Sequence, residues 1–266
     1  MTGKKEPKAQ PKPYLRGKPL DSGTPRAAAV FFGGLLLMCF LNLILTTTAS
    51  IMKADWLRIA FCIAQIGVYE LLFFYSGQNR GTAGVTLGET MYSRRESGRE
   101  VDPADEARCF HPLKGFAQAL IGSLPALVIA GVYAFLAVPQ RMSPGPMPEW
   151  VSGITSRPDV TAPLVAYTTV EPAALADWLR VAVRVLLMPF VTIIGTRNSG
   201  ALLLLERLGP LLVLLPAAAY GVGYCFGPRS RVKVQENIAE GKRRLARRER
   251  RERRQRRAAR EPEKLN

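Results

Sequence analysis

The feature that most constrains this chain is a run of 26 residues without a charged side chain, at 27–52. A helix needs about 20 apolar residues to cross the hydrocarbon layer of a bilayer. A secretory signal peptide is the competing interpretation, but its apolar core is only about 7–15 residues long. The run also follows 26 residues that include five prolines. We therefore interpret it as a first membrane span that is not cleaved.

Three further apolar runs predict membrane spans, at 56–76, 115–138 and 209–227. The run at 115–138 is uncharged and contains Pro125. Membrane helices tolerate a proline when neighbouring groups satisfy the freed carbonyl. The last run ends in Gly227 and Pro228, and glycine followed by proline is a common helix stop.

The segment 173–195 allows two interpretations. Asp177, Arg180 and Arg184 occur at spacings of three and four, which puts them on one face of a helix. An interfacial or re-entrant helix would carry this pattern. A fifth span with its charges near one end would carry it as well.

The charge distribution decides between these alternatives. The formal net charge is +16, and the bases are concentrated in the tails. Seven bases lie in 1–26, six in 77–114 and sixteen in 229–266, whereas 139–176 has two. The positive-inside rule places the first three segments in the cytoplasm and 139–176 outside. Three spans separate the N-tail from 139–176. Beyond that segment, only an odd number of further spans returns the chain to a cytoplasmic C-tail. One further span gives four in total, which is favoured over two further spans and a total of five.

These observations predict an all-α integral membrane protein with a four-span helical bundle, at 27–52, 56–76, 115–138 and 209–227. The segment 173–195 is then an outer interfacial or re-entrant helix, and the chain ends in a basic helix or tail. We expect the bacterial cytoplasmic (inner) membrane, with both termini in the cytoplasm.

Three regions make up the expected organisation. The proline-rich basic N-tail 1–26 cannot bury a core, which predicts disorder. The membrane domain 27–228 contains a cytoplasmic loop at 77–114, with a short amphipathic helix near 86–96, and an outer proline-rich loop at 139–172. The arginine-rich cytoplasmic tail 229–266 follows.

The C-tail has sixteen bases against six acids. Its stretch 235–260 has no apolar stripe, because Leu245 stands almost alone there. It cannot insert into a bilayer by burying an apolar face, so its expected partners are polyanions. Anionic lipid headgroups come first, and RNA or the ribosome comes second. The predicted polyanion-binding residues are Arg243, Arg244, Arg247, Arg248, Arg250, Arg251, Arg253, Arg254, Arg256 and Arg257.

Three charged residues within or beside the apolar runs are intramembrane candidates: Glu70, Arg58 and Glu206. An ionisable side chain within a span is costly unless it is paired, and it often marks a pathway. Glu70 could relay protons or bind a cation, or it could make a structural contact. Arg58 and Glu206 are expected at matched depth and could pair with each other.

Cys109 and His111 form the other candidate for chemistry. A zinc site needs three or four closely spaced ligands, and this pair stands without a second pair, so we expect neither a metal site nor a cofactor. A junction leading into the third span is the alternative interpretation.

Small residues at helical spacing in the spans, such as Ser123, Ala126 and Ala130, predict a bundle interior or a helix-mediated oligomer.

The first functional hypothesis is a scaffold, tether or accessory subunit whose basic tails bind anionic lipid or RNA. The second is a small transporter or proton-linked carrier that uses Glu70. A third is a membrane enzyme that uses the loop with Cys109 and His111. We favour a protein that is not an enzyme.

Overall fold

A computed structural model describes residues 12–52, 54–139, 174–195 and 198–258. Within these ranges the chain is all-helical, without a strand. The eight helices of the described ranges are α1 Thr24–Ser50, α2 Asp55–Glu96, α3 Pro103–Arg108, α4 Lys114–Leu136, α5 Leu175–Leu186, α6 Met188–Ile194, α7 Ser199–Cys225 and α8 Gly227–Ala258.

Four of these helices, α1, α2, α4 and α7, are long and apolar enough to span a membrane. The prediction of four apolar helices is confirmed. Their surfaces carry exposed large apolar side chains, including Phe40 at 61% and Phe135 at 93% exposure. A water-facing surface this apolar would be unusual. Helices α5 and α6 have 12 and 7 residues, which is fewer than the roughly 20 that a span requires.

The second predicted span is part of a much longer helix. α2 has 42 residues and is about 63 Å long at 1.5 Å per residue. It continues through 77–96, so the structure corrects the expected loop there and the short helix near 86–96. Four glycines at 77, 81, 84 and 88 fall in this stretch, and each costs a helix about 1 kcal/mol. Tertiary contacts must therefore hold this half of α2.

The chain divides into two compact units, each of which is described by itself. The first unit comprises Met1–Ala27, Leu71–Ala119 and Ala218–Asn266, and the second comprises Ala28–Glu70 and Leu120–Ala217.

The core of the second unit is formed by α4, α5, α6 and α7. α1 also packs closely on α4, since a Cβ atom at Gly122 would lie 2.6 Å from the carbonyl oxygen of Ala28. The predicted small-residue face of α4 is buried. The buried core residues are Ala126, Ala130, Tyr133, Ala137, Val183, Leu187, Leu202, Leu205 and Val213.

The first unit contains part of the N-tail. Residues 12–23 carry no helix but are attached to α2 and to the segment around α3. Their backbone hydrogen bonds run from Leu15 N to Gly88 O, from Gly17 N to Phe110 O and from Lys18 N to Ala107 O. The expectation of a disordered N-tail is therefore wrong for these residues. Residues 1–11 lie outside the described ranges, as do 140–172 of the outer loop and 259–266 of the C-tail.

An aromatic cluster covers the same region of the first unit. The rings of Phe110 and Tyr224 are stacked with centroids 5.4 Å apart, and Tyr14 of the N-tail meets Phe110 edge-on at 6.1 Å. The N-tail is thus attached by side chains as well as by its backbone.

Candidate functional site

The base of the arginine-rich helix α8 is fixed by glycine contacts in the first unit. At each of four glycines, a Cβ atom would collide with a backbone atom of the partner helix. Small residues allow helix backbones to approach this closely. The contacts join Gly77 to Tyr220, Gly81 to Tyr224, Gly223 to Phe74 and Gly227 to Gly81.

The pairing continues from α7 into α8 through side chains. Arg231 Nη2 donates to Glu89 Oε2 at 2.9 Å, and Gln235 Nε2 donates to Glu89 Oε1 at 2.7 Å. The carboxylate of Glu89 is 11% exposed and the Arg231 side chain 23%. From Gly77 to Glu89, the partners in α7 and α8 advance in the same order as in α2. Within the first unit, α8 therefore runs parallel to α2.

Beyond this attachment, α8 exposes its bases to solvent. Of the ten predicted polyanion-binding arginines, those whose side chains the structure describes are all exposed. They are Arg243, Arg244, Arg247, Arg248, Arg250, Arg251, Arg253 and Arg256. The side chains of Arg254 and Arg257 lie outside the description. A surface ion pair joins Arg244 to Glu240 over 3.8 Å, and such exposed pairs contribute little.

A buried ion pair lies where the N-tail meets the start of α4. Lys114 Nζ is 3.1 Å from Asp21 Oδ2, and the two side chains are 3% and 5% exposed. The ammonium also donates to the carbonyl oxygens of Ala107 at 2.8 Å and Cys109 at 3.0 Å. All three of its hydrogens are thereby satisfied, which a buried ammonium requires.

The pKa of Asp21 is lowered from its ordinary value. Burial alone would raise the pKa of this carboxyl, but the hydrogen bond from Thr24 and the hydrogen bond and charge of Lys114 outweigh burial. Asp21 is therefore a carboxylate that fixes the N-tail to α4 through Lys114.

Cys109 and His111 occupy structural positions at this junction. The Cys109 thiol is buried, and burial raises its pKa, which disfavours the thiolate that a nucleophile needs. His111 Nδ1 accepts a hydrogen bond from Leu113 N at 3.3 Å. In the described part of the chain, no three His, Cys, Asp or Glu side chains are grouped as metal ligands could be.

The three intramembrane candidates have different environments in the second unit. Glu70 is partly buried and makes no hydrogen bond or ion pair with the described residues. Arg58 pairs with Asp55, three residues earlier, at 2.9 Å. Glu206 is 2% exposed and has partners on other helices. The expected pair between Arg58 and Glu206 is therefore wrong, because each of them has another partner.

Glu206 is the centre of a buried ionic network. Arg184 Nη2 lies 2.7 Å from Glu206 Oε1, and Arg180 Nε lies 3.9 Å from the same oxygen. Tyr133 donates its hydroxyl to Glu206 Oε2 at 2.9 Å and accepts a hydrogen bond from Arg180. One carboxylate thus connects α4, α5 and α7 and faces two guanidinium groups.

The pKa of Arg180 is raised. Burial would lower the pKa, but the hydrogen bond to Tyr133 and the charges of Glu206 and Asp177 exceed that effect. The sequence indicated that Arg180 and Arg184 share a helix face, but it did not identify Glu206 or Tyr133 as their partners. The available signal for these partners was the spacing of four residues between Arg180 and Arg184. Two arginines on one helix face need a carboxylate partner when that face is buried.

No protein-family model, curated protein or solved structure matches this chain. The residues and their geometry alone therefore support the proposals that follow.

Proposed function

We propose that this chain is a membrane-anchored tether or scaffold whose helix α8 binds a polyanion on the cytoplasmic side. The four apolar helices anchor it, and the concentration of bases in the tails favours cytoplasmic termini in a bacterial inner membrane. In this proposal, α5 and α6 lie at or dip into the outer face of the bilayer, because they are short and α5 is amphipathic.

The parallel attachment of α8 to α2 is the observation that carries the proposal. The apolar sequence of α2 ends at Gln78, Asn79 and Arg80, which is where headgroups would begin. Glu89 is about 14 Å further along α2, and Arg243 is about 18 Å beyond Arg231 on α8. Arg243 would thus lie about 30 Å from the headgroup level, whereas salt screens charge over about 8 Å.

Because of this distance, a polyanion that approaches from solution is a more favourable partner than the lipid surface of the same membrane. RNA phosphates fit the exposed arginines, because binding to phosphate releases counterions. The anionic lipid of the same bilayer is the alternative, and it would require α8 to leave α2 and bend toward the headgroups.

The test uses the full chain in nanodiscs of zwitterionic lipid and a fluorescent single-stranded RNA. We expect saturable binding that weakens steeply with salt. Replacing the eight exposed arginines between Arg243 and Arg256 named above by glutamine should nearly abolish both binding and its salt dependence. The matched control replaces the same eight by lysine, which preserves the charge and should keep most of the affinity.

A second arm separates the two partners. Nanodiscs with anionic lipid should leave RNA binding in place at physiological salt if α8 projects away from the bilayer. Loss of RNA binding in these nanodiscs would show that α8 lies on the lipid, and the proposal of a soluble partner would be wrong.

Orientation is tested by labelling single cysteines in a chain whose four native cysteines have been replaced. A cysteine at Ser152 should react with an impermeant reagent from outside, and one at Ser230 should be protected. Equal labelling of both from outside would contradict the four-span arrangement.

A proton-linked carrier is the second candidate function, and the partly buried Glu70 without a partner among the described residues favours it. The enzyme hypothesis has less support, because the Cys109 thiol is buried and its raised pKa disfavours a nucleophile.

A further inference from the structure

A small cleft in the first unit combines exposed arginines with a buried amide oxygen that has no hydrogen-bond partner among the described residues. Its volume is about 240 Å³, and Asp21, Arg80, Arg108, Lys114 and Gln118 line it. Pockets for drug-sized ligands have about 300–1,000 Å³, so this cleft suits a smaller group. Its walls come from the N-tail, α2, α3, α4 and α7.

Gln118 is the residue that points to a ligand. It is 6% exposed, and its Oε1 atom is buried without a hydrogen-bond partner among the described residues. Leaving a buried acceptor unsatisfied costs about 1–3 kcal/mol, and most such groups in folded proteins have a partner. A donor supplied by a bound molecule would satisfy it.

The arginines of the cleft can accept an anion. Arg80 is exposed and makes no ion pair or hydrogen bond with the described residues. Arg108 is 51% exposed, and its contacts are long, at 3.4 Å to Asp105 and 3.5 Å to Ser22. Lys114 is already neutralised by Asp21. The cleft therefore carries one guanidinium without a counter-charge, that of Arg80, and a second, that of Arg108, in a long ion pair. Guanidinium binds phosphate through paired hydrogen bonds.

The position of the cleft along the helices suits a lipid headgroup. Arg80 lies where the apolar sequence of α2 ends, and Lys114 lies where the apolar helix α4 begins. Both mark the boundary between hydrocarbon and water on the side that carries the basic tails.

We propose that this cleft binds a phosphodiester headgroup that carries an N–H or O–H donor. Arg80 and Arg108 hold the phosphate, and the donor of the headgroup satisfies Gln118 Oε1. Ethanolamine and glycerol headgroups meet both requirements. Choline does not, because its quaternary nitrogen has no hydrogen to donate.

Native mass spectrometry of the full chain in a non-ionic detergent tests this site. The protein is titrated with phosphatidylethanolamine, phosphatidylglycerol or phosphatidylcholine of identical acyl chains. We expect one site that prefers the first two lipids over the third. Inorganic phosphate is added as a competitor. Displacement of lipid at equal concentration would identify free phosphate as the source of the anion, and persistence of lipid would identify the headgroup.

The variant R80Q/R108Q should weaken binding of phosphatidylethanolamine and phosphatidylglycerol by at least about tenfold. The control R94Q/R95Q removes the same charge from α2 outside the cleft and should leave binding within about twofold. Equal losses in the two variants would show diffuse charge attraction and overturn the proposal. All four arginines are exposed, so both variants are expected to fold.

Gln118→Leu separates a ligand contact from a structural one. It should weaken binding of the two donor-carrying lipids about fivefold, the equivalent of one hydrogen bond. Phosphatidylcholine binding should not change, and thermal stability should stay the same or rise because an unsatisfied group is removed. Undiminished preference for the donor-carrying lipids in this variant would exclude Gln118 from the site.

Discussion

In the first unit, α2 meets α7 and α8 through glycines that let backbones touch, whereas in the second unit α4, α5 and α7 meet around the buried carboxylate of Glu206. The glycine contact depends on the absence of side chains. The Glu206 contact depends on one side chain with two cationic partners. The first arrangement should be sensitive to added volume and the second to lost charge.

The largest effect is expected for Glu206→Gln in the second unit. The change leaves Arg180 and Arg184, whose side chains are 16% and 22% exposed, without a counter-charge. Breaking a buried pair by removing one partner costs about 3–5 kcal/mol. The free energy of unfolding, measured by titration with denaturing detergent, should fall by about 3 kcal/mol. The exposed neighbour Arg207 provides the control, since Arg207→Gln should change the free energy of unfolding by less than about 0.5 kcal/mol.

Gly81→Ala should have the next largest effect, in the first unit. The new Cβ atom would collide with the carbonyl oxygen of Tyr224, and overpacking costs about 1–3 kcal/mol. Gly67→Ala in the same helix is the matched control, because a Cβ atom there meets nothing within 4 Å. Alanine favours a helix over glycine by up to about 1 kcal/mol, so this control should gain stability.

Hydrogen exchange at α8 would show whether the glycine contact also holds that helix. In Gly81→Ala, amides around Arg231 should exchange faster than in the native chain, whereas in Gly67→Ala they should not. Identical exchange in both variants would mean that α8 is held independently of the contact.

The fold was predictable where one property of the sequence decides it. Long apolar runs predicted the four long helices, because a span needs about 20 predominantly apolar residues and charge within it is costly. The half of α2 beyond Arg80 was not predictable from local propensity, since its four glycines are typical of turns. The spacings of Gly77 to Gly81 and of Gly223 to Gly227 were the available signal, and only their pairing explains a helix there.

The charged site was predictable in part. Glu206 was identified by its position beside an apolar run, but its partners depended on where α5 packs, and the sequence does not specify that packing. Lys114 and Asp21 lie 93 positions apart, and nothing local connects them. The exposure of the α8 arginines followed directly from the absence of an apolar stripe.

Acid should weaken the first unit through Asp21. The pKa of this carboxyl is lower in the folded chain than its ordinary value of about 4. Its contribution to stability is therefore fully present above that value and is lost as the pH falls through the folded pKa. The thermal midpoint of the detergent-solubilised chain should decline between about pH 5 and about pH 2, a range that brackets the ordinary pKa of an aspartate and extends below it.

Asp21→Asn isolates this contribution. The variant should be less stable than the native chain at neutral pH, because Lys114 loses its counter-charge, and the difference should narrow as the native carboxyl is protonated. A difference that stays constant down to the lowest pH would show that the Asp21 charge does not contribute.

Glu70→Gln should have the smallest effect on stability. Unlike Glu206, Glu70 has no partner among the described residues, so removing its charge breaks no ion pair. We expect the free energy of unfolding to change by less than about 0.5 kcal/mol, in contrast to Glu206→Gln, which removes the same charge by the same substitution. A large loss of unfolding free energy would reveal a structural contact of Glu70.

The same variant separates the two candidate functions, because a tether needs no acid within the membrane, whereas a proton-linked carrier that uses Glu70 needs that carboxyl to gain and lose a proton. Polyanion binding by α8 should therefore persist in Glu70→Gln, and proton-coupled uptake in reconstituted vesicles, if the native chain performs it, should vanish while the fold is retained.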